Sequence, residues 1–213
     1  MSHPIVTTVT IIAGNASLLA SAENGFAGLP LPLIASALTL DAPRRIIVTS
    51  AGNDSGISFV VTGTARSQQG SVIQSETISG ANAGAAQTTQ DYASLISVVP
   101  TGNTASTLTV GTNGTASGPW VVWDSFVPEF LVSCQVNVLS GAPTWSVEVT
   151  QDDVFGTWLP AGVPYPRASA PLNSNLTNLT VNQIGQLTQP YRASRLTLTA
   201  YGSVSLTQQQ SGW

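Results

Sequence analysis

Alternation of apolar and polar positions first becomes clear at Arg44-Arg45-Ile46-Ile47-Val48-Thr49-Ser50, a β-branched run that stops on the turn cluster Ala51-Gly52-Asn53-Asp54-Ser55-Gly56. From 57 to 64, Ile57, Phe59 and Val61 alternate with Ser58, Val60 and Thr62, and after a turn at 67–70 a third run occupies 72–78. This spacing predicts an antiparallel meander. A small-residue loop at 80–87 separates it from two more predicted strands at 92–99 and 107–111. The segment 112–119 has no large apolar side chain and carries Asn-Gly and Gly-Pro, which marks the best boundary in the chain. Beyond it strands are predicted at 120–123, 130–139, 145–150, 176–181 and 196–206, with a hairpin-like turn at 140–143, a long Pro-rich loop at 153–171 and a possible break at Gly202. No apolar stretch keeps a 3.6-residue period for more than two turns, so helix should stay below about a tenth of the chain.

The predicted fold is all-β: two antiparallel β-sandwich or jelly-roll-like domains at 39–112 and 119–213, a linker at 113–118, and an N-terminal arm over 1–38. One strand is plausible around Val6, Val9, Ile11 and Ile12, but the rest of the arm is small, interrupted by Gly and Pro, and nearly uncharged. It carries too many apolar side chains for a disordered tail. An arm extended across a neighbouring subunit is therefore expected, the alternative being a strand and loop packed on its own domain. If the arm lies on a neighbour, its deletion leaves the fold intact and weakens assembly. The residues expected at the subunit interface are Val6, Val9, Ile11, Leu18, Leu19, Phe26, Leu31, Leu33 and the terminal Trp213.

Composition changes the picture mainly by exclusion. Charged residues are 8% of the 213 positions, with no Lys, and Ser and Thr make up about a quarter, so the surface must be covered by hydroxyls and amides. A net charge of −4 leaves no basic footprint for nucleic acid. No targeting or membrane-spanning segment is recognisable, and assembly in a reducing cytoplasm is expected. A single Cys excludes a disulfide framework and a cysteine-based zinc site, and Cys134 within a strand-like run is expected to fill a packed face.

Candidate chemistry is sparse. The single His3 removes most imidazole-dependent catalysis, and no GxSxG, GxGxxG or phosphate-loop pattern occurs. Glu148, Asp152 and Asp153, with Asp124 and Glu129 upstream, form the densest acidic region, but without calcium-loop spacing they read best as a solvated strand end. No catalytic residue, metal ligand or cofactor is therefore assigned. Trp120, Trp123, Trp158, Tyr165, Tyr191 and Trp213 could in principle stack on sugars. Trp120 and Trp123 lie three apart on one strand and so point to opposite faces, one expected in the core and the other at an interface.

Two stretches resemble modules of virion proteins of tailed bacteriophages. The first is RRIIVTSAGNDSGISFVVTGTARSQQGSVIQSETISG at 44–80; the second joins PWVVWDSFVPEFLVSCQVNVLSGAPTWSVEVTQDD at 119–153 to RLTLTAYGSVSLTQQQ at 195–210. These motifs consist of turns and alternation and bring no catalytic residues with them. The resemblance implies a non-enzymatic structural component of the virion, assembled in the host bacterial cytoplasm. Its place could be head decoration, head–tail connector, tail or fibre attachment. The expected partners are other virion proteins and further copies of the chain, with no direct nucleic acid and no membrane. The alternative is a carbohydrate-binding, receptor-recognising β module of a phage fibre.

Overall fold

The computed structural model describes residues 3–35, 38–67, 70–155, 168–172 and 175–211. Within these the protein is all-β, with fourteen strands. In chain order they are β1 (Ile5–Ile11), β2 (Asn15–Glu23), β3 (Thr39–Ser50), β4 (Ser58–Ser67), β5 (Gly70–Ser79), β6 (Ala85–Gln87) and β7 (Tyr92–Pro100). There follow β8 (Leu108–Ser117), β9 (Val121–Val122), β10 (Val132–Gly141), β11 (Trp145–Thr150), β12 (Gln183–Leu187), β13 (Ala193–Leu198) and β14 (Gly202–Gln210). Ten form one large curled sheet in the order β11-β13-β8-β3-β7-β4-β5, with β2 paired to β8, β6 to β3 and β9 to β13. The other four form a small sheet, β1-β14-β10-β12. All the pairings between strands are antiparallel.

Two large hydrophobic clusters form the cores of the described residues, beside a small third one of Trp120, Val154 and Ala193. One, built on Phe59, Val61, Tyr92, Leu95, Val98, Leu108 and Val110, lies inside the curl of the first half. The other, built on Trp145, Val147, Leu196 and Leu198 of the large sheet and Val132, Val136, Val204 and Leu206 of the small one, is a sandwich core. β3 and β8 run through both: Ile46, Val48, Leu108 and Val110 face the first cluster, and Ala42 and Ala116 the second. The segment 113–118, expected as a linker, is therefore mostly strand. Its lack of large side chains reflects the crossing from one core to the other, where β8 pairs with β3 and begins to pair with β13.

The N-terminal segment corrects a second expectation. Rather than reaching for a neighbour, it packs on its own chain and ties the two halves together. β1 pairs along its full length with β14, and Val9 and Ile11 enter the second core. β2 pairs with β8, and Leu19, Ala20 and Leu31 enter the first. The β2 backbone lies so close to β8 that a side chain at Gly111 would run into the Asn15 carbonyl oxygen. Leu31 and Ile34 then donate backbone hydrogen bonds to Val98 and Leu19, which holds the Pro-interrupted stretch down without a strand.

Local pairing departs from the predicted meander. β4 and β5 form the expected hairpin, but β7 and not β3 is the other neighbour of β4. The turn at 140–143 is no hairpin either. It carries the chain from β10 in the small sheet to β11 in the large one. The predicted strand at 176–181 is reduced to an isolated bridge, Leu179 to Trp145, and a backbone bond from Val147 to the Leu176 carbonyl, and β12 begins just beyond it. The predicted strand at 196–206 is two strands in different sheets, divided before Gly202, whose φ of 151° suits glycine.

Candidate assembly surface

The small sheet positions the surface that distinguishes this protein. Its inward row carries Val9, Ile11, Val132, Cys134, Val136, Val204 and Leu206 into the second core. Strand alternation then sends the intervening residues outward. Register aligns Thr8 with Ser205 and Asn137, and Val6 with Thr207, Gln135 and Ile184. Thr10 pairs with Ser203, and Gln209 with Ser133 and Gln186. This outer face holds Ser, Thr, Asn and Gln with the aliphatic Val6 and Ile184 and no formal charge, and Leu139 is exposed beside it at the β10 bulge. Thr10 and Ser203 hydroxyls share a 2.7 Å hydrogen bond across the strands, and Ser133 donates to the Gln209 carbonyl at 3.2 Å. Neighbours thus hold the polar groups in rows while leaving capacity for a partner.

The charges missing from that face are spent inside and along the seam between the cores. Arg44 and Arg45 are adjacent on β3, so their side chains leave opposite faces. Fully buried Arg44 donates to both oxygens of Asp41 at 2.6 Å and to the Ile12 carbonyl at 2.8 Å. Arg45 lies 3.6 Å from Asp91, and Arg195 lies 3.3 Å from Asp91 and 2.8 Å from Glu148. Arg195 also donates to Ser117 Oγ at 3.1 Å and stacks over the Trp120 ring, 4.7 Å from its centre. Arg192 pairs with Asp153 at 3.0 Å.

Asp91 is held unusually. Its side chain is buried, yet neither guanidinium comes within the 2.7–2.9 Å typical of a charge-assisted hydrogen bond. Burial pushes its carboxyl above the ordinary carboxylate range; the Arg195 charge, the Ser117 hydroxyl and the Arg45 charge pull it down without winning, and Glu148 adds to the rise. A carboxyl raised in the folded state favours folding when protonated, and that contribution is lost as pH rises through the raised value. Thermal melting on the acid side of neutrality should therefore contain a stabilising component as pH falls toward 3.8, the ordinary value for Asp. Asp91→Asn should flatten that component at constant ionic strength; an unchanged profile would assign it to another group.

The expected interface residues divide sharply. Val9, Ile11, Leu19 and Leu31 are buried in the chain's own cores, and Leu18 and Leu33 pack against the first core from its margin. This corrects their assignment to a subunit interface: each side chain found a cavity in its own fold. Only Val6 and Phe26 stand exposed, and Trp213 lies outside the described residues.

The aromatic reading also changes. Trp120 and Trp123 are both buried, Trp120 against Val154 and Ala193, Trp123 in the second core with its indole N–H donated to Ser194 at 2.8 Å. Trp145 is fully buried and Tyr191 nearly so, while Trp158 and Tyr165 lie outside the described residues. A sugar-stacking platform is thus not formed by Trp120, Trp123, Trp145 or Tyr191.

Cys134 fills the small sheet's inner row, where burial pushes its thiol up to about 11 against a smaller opposing effect of Gln208. A thiol so held is a poor nucleophile. Glu148 and Asp153 of the acidic region are engaged by Arg195 and Arg192. Among the described residues no three His, Cys, Asp or Glu side chains are grouped to hold a metal ion. Sequence reasoning missed the Arg45, Asp91, Arg195 and Glu148 cluster. Its one signal was the Arg44-Arg45 pair, because two adjacent arginines on a strand cannot both face water when both sheet faces are covered.

Comparison with known proteins brings no relative: no family model matches the chain, and no curated protein and no solved structure matches it.

Proposed function

We propose that this protein is a non-enzymatic structural component of a tailed-bacteriophage particle, incorporated in many copies through uncharged β surfaces. The observation that carries this reading is the small sheet's outer face, a continuous array of hydroxyl, amide and aliphatic groups free of charge. Such a face can exchange its water for a neighbour's polar groups without the large desolvation penalty of buried ions. The modest net charge of −4 adds little repulsion between copies. The segments 44–80, 119–153 and 195–210, which resemble virion modules, contribute the second half of β3, all of β4, β5, β9, β10, β11 and β14, and most of β13 to this framework.

The test is peptide mass spectrometry with absolute quantification on tailed particles purified from a producing culture. The chain is expected in the particles at a fixed copy number that matches the symmetry of one site, which would also place it in head, neck, tail or fibre attachment. Its retention in the particle-free lysate, with none in purified virions, would overturn the proposal.

A further inference from the structure

The outermost strand of the small sheet has a composition found nowhere else along the edges of this fold. β1 reads Ile5-Val6-Thr7-Thr8-Val9-Thr10-Ile11, so all seven residues are β-branched, and none is charged, Gly or Pro. One side of β1 pairs with β14 throughout, and among the described residues no strand pairs with the other. Long exposed edges are normally blunted by a charge, a Pro, a bulge or a covering segment. The other edges among the described residues differ: β2 is irregular in register against β8, ends on Glu23 and accepts the Ile34 amide at Leu19, and β6 and β9 are only three and two residues long. β11 is covered by backbone bonds to Leu176, Leu179 and Ser169. β5 carries Glu76, which accepts from the Thr89 and Gln90 amides. β12 is five residues long and contains Gly185.

We infer that the free edge of β1 is a docking site for β1 of a second copy, the two strands running antiparallel about a two-fold axis at Thr8. This deepens the assembly reading above and rests on it. The chain itself supplies the complementary strand. An edge without charge offers a charged partner nothing to pair with, whereas an identical edge matches it residue for residue. In this register Ile5 faces Ile11 of the second copy, Val6 faces Thr10, and Thr7 faces Val9. Inward residues then meet inward ones and outward meet outward, as the two-residue side-chain period requires.

The register also gives a partner to Ile5, which shares the inward row of Thr7, Val9 and Ile11 yet is 41% exposed. The isoleucine opposite would complete that row. The small sheet would become one eight-stranded sheet with its uncharged outer face doubled in width. A single seven-residue strand pair buries less than the roughly 1,000 Å² of a self-sufficient interface. The contact is therefore weak between isolated subunits and effective where many copies are held together.

The test uses the full chain and the exposed position on the axis. Thr8→Lys and Thr8→Glu each place like charges opposite one another across the axis, while leaving the inward row untouched. Sedimentation over a concentration series should find a weak dimer for the native chain, with dimerisation lowered roughly fivefold or more in either variant. An equimolar mixture of the two should restore it. Circular dichroism and melting checks that both variants stay folded, and native-chain amide exchange at residues 5–11 should slow with concentration. A chain that stays monomeric throughout, or a dimer indifferent to both substitutions, overturns the inferred contact. Presence in particles is read separately, so failure here is distinguishable from failure of the virion assignment.

Discussion

Deleting residues 1–38 is expected to abolish the cooperative fold and not merely to trim an accessory arm. The segment supplies Val9 and Ile11 to one core and Leu19 and Leu31 to the other. At about 1.5–3 kcal/mol for each large apolar side chain, those four contribute roughly 6–12 kcal/mol. Whole domains are commonly stable by only about 5–15 kcal/mol. The deletion also strips β14 and β8 of paired strands. The expected product lacks a sigmoidal melt and aggregates through its exposed sheets. A truncated chain with the native circular dichroism spectrum and a cooperative transition within a few degrees of the full chain would show that β1 and β2 are dispensable.

Asp41→Ala should be among the most damaging single substitutions remote from the large apolar residues. Among the described residues it leaves the fully buried Arg44 guanidinium the Ile12 and Asn113 carbonyls as hydrogen-bond partners, at the point where β1, β3 and β8 converge. Removing one partner of a buried pair costs about 3–5 kcal/mol; because Asp41 is itself one-third exposed, about 3 kcal/mol is expected. The loss should appear as a lowered midpoint of urea unfolding with little change in slope. The double change Asp41→Ala with Arg44→Met replaces the pair by apolar volume and should recover most of the loss. No recovery would mean that Arg44 acts through its carbonyl contacts and not through the ion pair. Acid should act through the same carboxyl. Burial raises Asp41, but the hydrogen bonds from Arg44, Ile12 and Ala42 and the Arg44 charge prevail and hold it below 3.8. Its stabilisation is therefore present above that value and is lost as pH falls through the lowered one, opposite in sign to Asp91.

Alternation and turn residues alone determined the all-β class, the β4–β5 hairpin, the position of β11 and the division near Gly202. These depend on the two-residue period and on Gly, Asn and Pro, which act through neighbouring residues. Low charge and the absence of Lys were equally legible. Pairing was not. Whether β4 would lie beside β3 or β7, and whether the turn at 140–143 would close a hairpin or change sheets, depends on partners distant in the chain. The same apolar pattern suits either choice. The first 38 residues illustrate this most clearly. Val9, Ile11, Leu19 and Leu31 announced a need for burial, but only the assembled cores decided that the cavity lay in their own chain. Segment 113–118 looked like a linker because a strand passing between two cores carries small residues at the crossing. Beyond the Arg44-Arg45 pair the Asp91 cluster left no trace in the sequence, because its four charges come from β3, β11, β13 and the turn before β7, and they meet only once the two halves share a sheet.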